Sequence, residues 1–289
     1  MTARPRDDSA RSLLVLAAAA FAAFLVVYLV AVQTEFGRTL DEAALAGGRA
    51  APELAQDAAD RLLRLVSIGS LAAAIAFLTG LAWLRRRPGL VLIPLAVIGL
   101  SLLATELFKL AILPRPDHVG GGSLFDNTYP SGHTTVAISI GLAALLIAPK
   151  PLRPAVAFLA TGLAATTGIF VVTADWHRPS DPIGSYLLTV SVAALCAATI
   201  RARVEEPAVT AEPEKRRSAD RLELTALLSG LAIFVGAGVV ASLRYGADVD
   251  WNRFNLSFLL AAATIAIVAG FAVAGLLRAL TSPRTPRSR

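Results

Sequence analysis

Long apolar runs separated by short polar stretches set the organisation of this chain. Residues 12–32 carry no charge, and about 20 such residues cross a bilayer as a helix. Comparable runs follow at 62–84, 90–113, 133–148, 155–173, 182–200, 222–243 and 254–280. The pattern therefore predicts an all-α, polytopic membrane bundle of eight transmembrane helices. The first run follows Arg4, Arg6 and Arg11. It exceeds the roughly 7 to 15 apolar residues of a secretory signal and reads as a membrane helix. Between the first two spans, residues 34–61 hold Glu35, Asp41, Glu42, Glu53, Asp57 and Asp60. The alanine-rich stretch 41–63 predicts a short interfacial helix there. The same pattern divides the chain into a membrane core (1–200), a polar linker (201–221), two further helices (222–280) and a basic tail (281–289).

Composition agrees with the pattern. The chain is 55% hydrophobic and 17% charged, with a mean hydropathy of +0.64, which excludes a soluble domain of this size. The net charge of +6 does not signal a nucleic-acid partner, because the basic residues stand at the ends of apolar runs and form no continuous patch. They report topology instead. The N-terminus, Arg85 to Arg87, Lys150 with Arg153, the linker and the tail alternate with acidic or neutral loops. Short cytoplasmic loops carry the excess of Lys and Arg, so both termini are expected in the cytoplasm of an integral plasma-membrane protein. Loops 34–61, 114–132, 174–181 and 244–253 then face outward. Cys196 is the single cysteine, which leaves neither an intrachain disulfide nor a thiolate zinc site. No metal or other cofactor is expected.

The chemistry is concentrated between residues 109 and 181, which hold all three histidines. Glu106 and Lys109 stand inside the last turns of the third span. Spaced i, i+3, they can pair with each other, and Lys109 is also a candidate phosphate ligand. Arg115 adds fixed positive charge and a fork of donors. Ser131 suits the N-cap of the fourth span, whose first-turn N–H groups favour an anion. Gly132 permits close backbone approach, and His133 can donate a proton to a leaving group. His177 precedes Asp181 by four residues, so the carboxylate can hold one imidazole tautomer and leave the other nitrogen as a nucleophile. Asp181-Pro182 also suits the start of the sixth span. His118 reads as a solvated loop residue, and Gly120 to Gly122 as a flexible stretch of the loop.

The blocks running from Lys109 to Arg115-Pro116, Pro130-Ser131-Gly132-His133, and His177 to Asp181 resemble the three signature blocks of the lipid phosphate phosphatases, the phosphatidic acid phosphatase type 2 and haloperoxidase-like superfamily. The resemblance covers roughly residues 90–200. It implies a six-helix core and metal-independent removal of phosphate from a lipid phosphate or polyprenyl diphosphate. It also implies a phosphohistidine on His177, orientation of that ring by Asp181, and leaving-group protonation by His133. Lys109, Arg115, Ser131 and Gly132 would hold the phosphoryl oxygens. Five residues separate Lys109 from Arg115 where the family has six, and Phe170-Val171 stands where the family has Ser-Arg. Arg178 is the candidate for the missing cation. The last two spans exceed the six-helix core. Two other readings follow from the same residues: a phosphotransferase sharing the intermediate, and a catalytically weak relative that binds or moves lipids.

Overall fold

The computed structural model describes residues 8–86, 88–115, 127–203 and 253–281. The expected span at 222–243, most of the linker and tail, His118 and Gly120 to Gly122 lie outside them. The described chain is helical: α1 (Asp8–Val27, continued by a π-turn Tyr28–Val32), α2 (Glu35–Arg49), α3 (Glu53–Leu63), α4 (Ile68–Leu84), α5 (Pro88–Val91), α6 (Ile93–Leu107, continued by a π-turn Phe108–Ile112), α7 (Gly132–Ile147), α8 (Arg153–Thr173), α9 (Ser180–Arg203) and α10 (Arg253–Thr281). Among the described residues, five helical segments are long and apolar enough to cross a membrane, namely Ala10–Val32, Gly89–Ile112, Lys150–Thr173, Ser180–Ile200 and Asn255–Thr281. The α3–α4 pair makes a sixth if counted as one broken span, and α7 is a shorter apolar helix.

The centre of the bundle is α7, where twelve of sixteen residues are buried. A helix that is apolar on every side belongs inside. It packs between α6, α8 and α9, while α1 runs along α9 and α10 covers α8 and α9. Small residues let the backbones close up, as membrane bundles require: a Cβ on Gly141 would come within 2.6 Å of the Ala160 side chain.

Two expectations change between α1 and α4. The single interfacial helix at 41–63 is two helices, α2 and α3, because Pro52 lies between them and begins the second. The span expected over 62–84 begins instead at Ile68, where Ser67 and Ser70 form a reciprocal capping box, and α3 and α4 bend by 59° at that break. The buried face of α2 includes Arg38, Asp41, Ala44, Leu45 and Gly48, while Phe36 and Leu40 are exposed. Polar groups inside and large apolar groups outside suit a helix lying in the membrane interface. At Gly37 α2 presses on the π-turn after α1, with a Cβ position only 2.2 Å from the Val30 carbonyl.

Candidate active site

His177 owes its place to the end of α8. Asp175 adopts the left-handed conformation (φ 62°), so the Asp175 N–H donates to the Val172 carbonyl at 3.1 Å and the Trp176 N–H to the Val171 carbonyl at 2.9 Å. These two bonds form a Schellman cap. The His177 N–H shares the Val171 carbonyl at 3.0 Å. The turn thus ends one helix and fixes the backbone of the histidine in the same three residues. The next helix starts at once: α9 begins at Ser180, with Asp181 already in its first turn.

Asp181 is fully buried. Its Oδ2 lies 3.2 Å from His177 Nδ1 and accepts the Arg178 backbone N–H at 3.0 Å, so the side chain caps backwards over the histidine's own loop. Its Oδ1 faces Arg115 Nη1 at 3.5 Å. Ser131 caps α7, accepting from the Thr134 N–H at 3.4 Å, and its own N–H donates to the Asp181 carbonyl at 3.2 Å. Ser185 donates to both the Ser131 and Asp181 carbonyls, at 2.8 and 2.9 Å. The second and third blocks are therefore joined through their backbones. His133, on the first turn of α7, packs edge-on against Trp176 with ring centroids 5.0 Å apart.

The first block reaches the site by leaving its helix. The α6 segment ends in a π-turn in which the Leu113 N–H donates to the Phe108 carbonyl at 2.8 Å, and Pro114 has no N–H to continue it. Asn127 Nδ2 donates to the terminal carbonyls of Lys109 (2.9 Å) and Leu113, and the Tyr28 hydroxyl donates to the Pro114 carbonyl at 2.6 Å. Arg115 consequently rides on a pinned, non-helical segment, and the five-residue spacing does not rotate it off the site as a continuous helix would. Its Nη1 donates to Thr128 Oγ1 at 2.7 Å. Its Nε and Nη2 are buried and donate to no described residue. Lys109 Nζ lies 3.0 Å from Glu106 Oε1, the pair foreseen from spacing, and would sit 3.8 Å from a Cβ placed on Gly132. The ammonium thus overhangs the start of α7.

Sequence reasoning left α2 without a role, and the structure places it across the histidine loop. Asp41 accepts from the Ser180 N–H at 3.1 Å and from the Ser180 hydroxyl, and lies 3.8 Å from Arg115 Nη2. Burial, followed by the charge of Asp181, pushes the Asp41 carboxyl up to about 7, against the opposing pull of Ser180 and Arg115. Glu42 accepts from Arg178 Nε at 2.6 Å, with the Arg178 side chain wholly buried. Arg49 pairs with Asp175 at 2.8 Å. The guanidinium offered by sequence as a substitute for the family arginine is thus engaged by α2. Thr128, Ser180, Asp41 and Glu42 contact residues of the candidate site and are not singled out by the sequence. Among the described residues, no group of three or more His, Cys, Asp or Glu side chains could hold a metal ion.

Residues 90–205 match the PAP2 superfamily model, the stretch that contains all three blocks. A solved structure, the first transmembrane PAP2-type phosphatidylglycerolphosphate phosphatase from Bacillus subtilis, is similar in fold, with a TM-score of 0.54 and 20% identity over 66% of this chain and 98% of that one. At that identity the likeness establishes the shared fold. Among curated proteins none matches.

Proposed function

We propose that this multi-pass membrane protein, whose residues 90–205 match the PAP2 superfamily, hydrolyses a lipid phosphate or polyprenyl diphosphate through a phosphohistidine at the extracytoplasmic face. The observation that carries the reading is the His177–Asp181 contact of 3.2 Å, made by a fully buried carboxylate. A carboxylate there favours the tautomer with hydrogen on Nδ1 and leaves the Nε2 lone pair available.

Nε2 attacks phosphorus and forms the N–P bond as the bond to the lipid oxygen breaks. That oxygen leaves with the bonding pair and takes a proton from His133. A water molecule then returns a proton to His133 and attacks phosphorus. The N–P bond breaks, its electrons return to Nε2, and inorganic phosphate is released. Arg115, with two buried donor atoms that bond no described residue, and Lys109, over the first turn of α7, hold the phosphoryl oxygens. Ser131 and Gly132 open the helix whose N–H groups face the same anion. Arg178 pairs with Glu42 across the histidine loop, whereas Lys109, though paired with Glu106, overhangs the first turn of α7; Lys109 and Arg115 are therefore the cations assigned to the phosphate in this reading. The basic ends of the spans support an outward-facing site with cytoplasmic termini.

The test is phosphate release by detergent-purified protein from phosphatidic acid, phosphatidylglycerol phosphate and a polyprenyl diphosphate in the presence of EDTA, beside His177→Ala. Turnover of a substrate by the wild type and none by the variant is expected. Strict dependence on added metal, or equal activity in the variant, would overturn the reading.

A further inference from the structure

Asp41 enters the site from α2, outside the three blocks, yet it lies 3.8 Å from Arg115 Nη2. Its orientation does not depend on that arginine, since the Ser180 N–H and hydroxyl both donate to it. Arg115 is likewise held from elsewhere, by Thr128 at 2.7 Å and by Asp181 at 3.5 Å. The two groups therefore meet as charge against charge, with side chains only 8% and 3% exposed. Screening is weak for charges removed from water. A phosphoryl dianion that binds Arg115 must share the guanidinium with this second carboxylate, and it feels the repulsion of Asp41 as well.

We propose that Asp41 is a positioning residue that acts through Arg115: its carboxylate offsets the guanidinium charge, holds down the affinity for inorganic phosphate, and so empties the site after each turnover. The inference rests on the assignment of Arg115 to the phosphoryl group. It gives the interfacial helix a part in the reaction. A hydrolase whose product is a dianion bound by fixed cations has to release it, and Asp41 stands where a counter-charge would do so without touching the reacting atoms.

The experiment measures inhibition by inorganic phosphate at pH 8, where Asp41 is ionised, with Arg115 and Asp181 facing it. Asp41→Asn removes the charge while its amide oxygen still accepts from the Ser180 N–H. Its inhibition constant is expected to fall by about tenfold, the size of one partly screened charge at this range. Asp41→Glu, which keeps the charge, should stay near the wild-type value. Asp41→Ser, neutral and also able to accept from Ser180, should shift in the same direction as Asn and serves if Asn does not fold. In an Arg115→Ala background, Asp41→Asn should change the constant by less than about twofold, because the path through the guanidinium is gone. A residue that only braces α2 would lower activity without tightening phosphate. An unchanged or raised constant in folded Asp41→Asn protein would overturn the proposal, and so would a fall that persists without Arg115. Turnover by His177→Ala on parallel preparations keeps the catalytic reading separate: it stands or falls on that variant, whereas Asp41 is judged on phosphate inhibition alone.

Discussion

The Glu42–Arg178 pair offers the sharpest test of how α2 serves the site. Arg178 is wholly buried and Glu42 is 19% exposed, with Oε1 2.6 Å from Nε. Glu42→Gln leaves the guanidinium buried without its counter-charge. Removing one partner of a buried pair costs about 3 to 5 kcal/mol, and the partial exposure of Glu42 puts this case near 3. For a chain of this size that corresponds to a fall of about 6 to 12 °C in the unfolding midpoint. Arg178→Met instead leaves a carboxylate that can turn to water, so the expected loss is about 1 kcal/mol. Adding Arg178→Met to Glu42→Gln should recover most of the deficit, since apolar replacement of a buried pair is often neutral. The assay is thermal unfolding in detergent, with phosphate release measured below each midpoint. On the proposed reading, in which the pair holds the loop and Lys109 and Arg115 hold the phosphate, kcat of folded Arg178→Met should stay within about tenfold of wild type. A loss of about 10²-fold or more in kcat with the midpoint preserved would refute the reasoning, because that is the signature of a lost oxyanion donor. So would a Glu42→Gln midpoint equal to wild type.

Further expectations follow from the same geometry. Asp181→Asn should lower kcat strongly, by at least the 10² or so expected of a disturbed catalytic dyad, with little change in the unfolding midpoint relative to His177→Ala. Asp175→Val should cost about 1 to 2 kcal/mol, because a β-branched residue resists the left-handed conformation, whereas Asp175→Gly should stay near wild type; chemical unfolding in mixed micelles distinguishes them. Asp41, raised from the ordinary carboxylate range to about 7 by burial and by the charge of Asp181, is the neutral acid below that pH and the carboxylate above it. Stability should therefore decline as pH rises from about 4 to about 7 and level off above. Midpoints measured across that range should show the decline in wild type and a flatter profile in Asp41→Asn. Gly121→Cys and Ala211→Cys, in a Cys196→Ser background, should label from opposite sides of the membrane with an impermeant maleimide; labelling of both from outside would reverse the orientation.

Much of the candidate site is legible in the sequence because charge is conspicuous in an apolar chain. Lys109, Arg115, Ser131, His133, His177 and Asp181 stand at the ends of runs that must be helices, and helices of that length bring their ends to common faces. The i, i+3 pairing of Glu106 with Lys109 was equally visible. What α2 does was not, because Asp41 meets Ser180 across 139 positions and Glu42 meets Arg178 across 136, and no local spacing encodes such ties. The Schellman cap before His177 escaped notice because its left-handed position holds Asp175 instead of the usual glycine. The second span was drawn too long because residues 62–84 are almost uniformly apolar, and hydropathy is blind to the Ser67–Ser70 cap that divides them.

The shortness of α7 decides the depth at which a phosphate would be handled. Its sixteen residues rise about 24 Å, whereas a typical hydrocarbon core is about 30 Å thick. If Ile147 stands at one boundary of that core, the Ser131 cap lies about 6 Å inside the opposite edge of the hydrocarbon. A lipid presented to His133 must then sink below its neighbours, or the bilayer must dimple around the protein to meet it. Either way membrane thickness enters the reaction as a variable: bilayers of shorter acyl chains should ease the descent, and thicker, sterol-rich ones should hinder it.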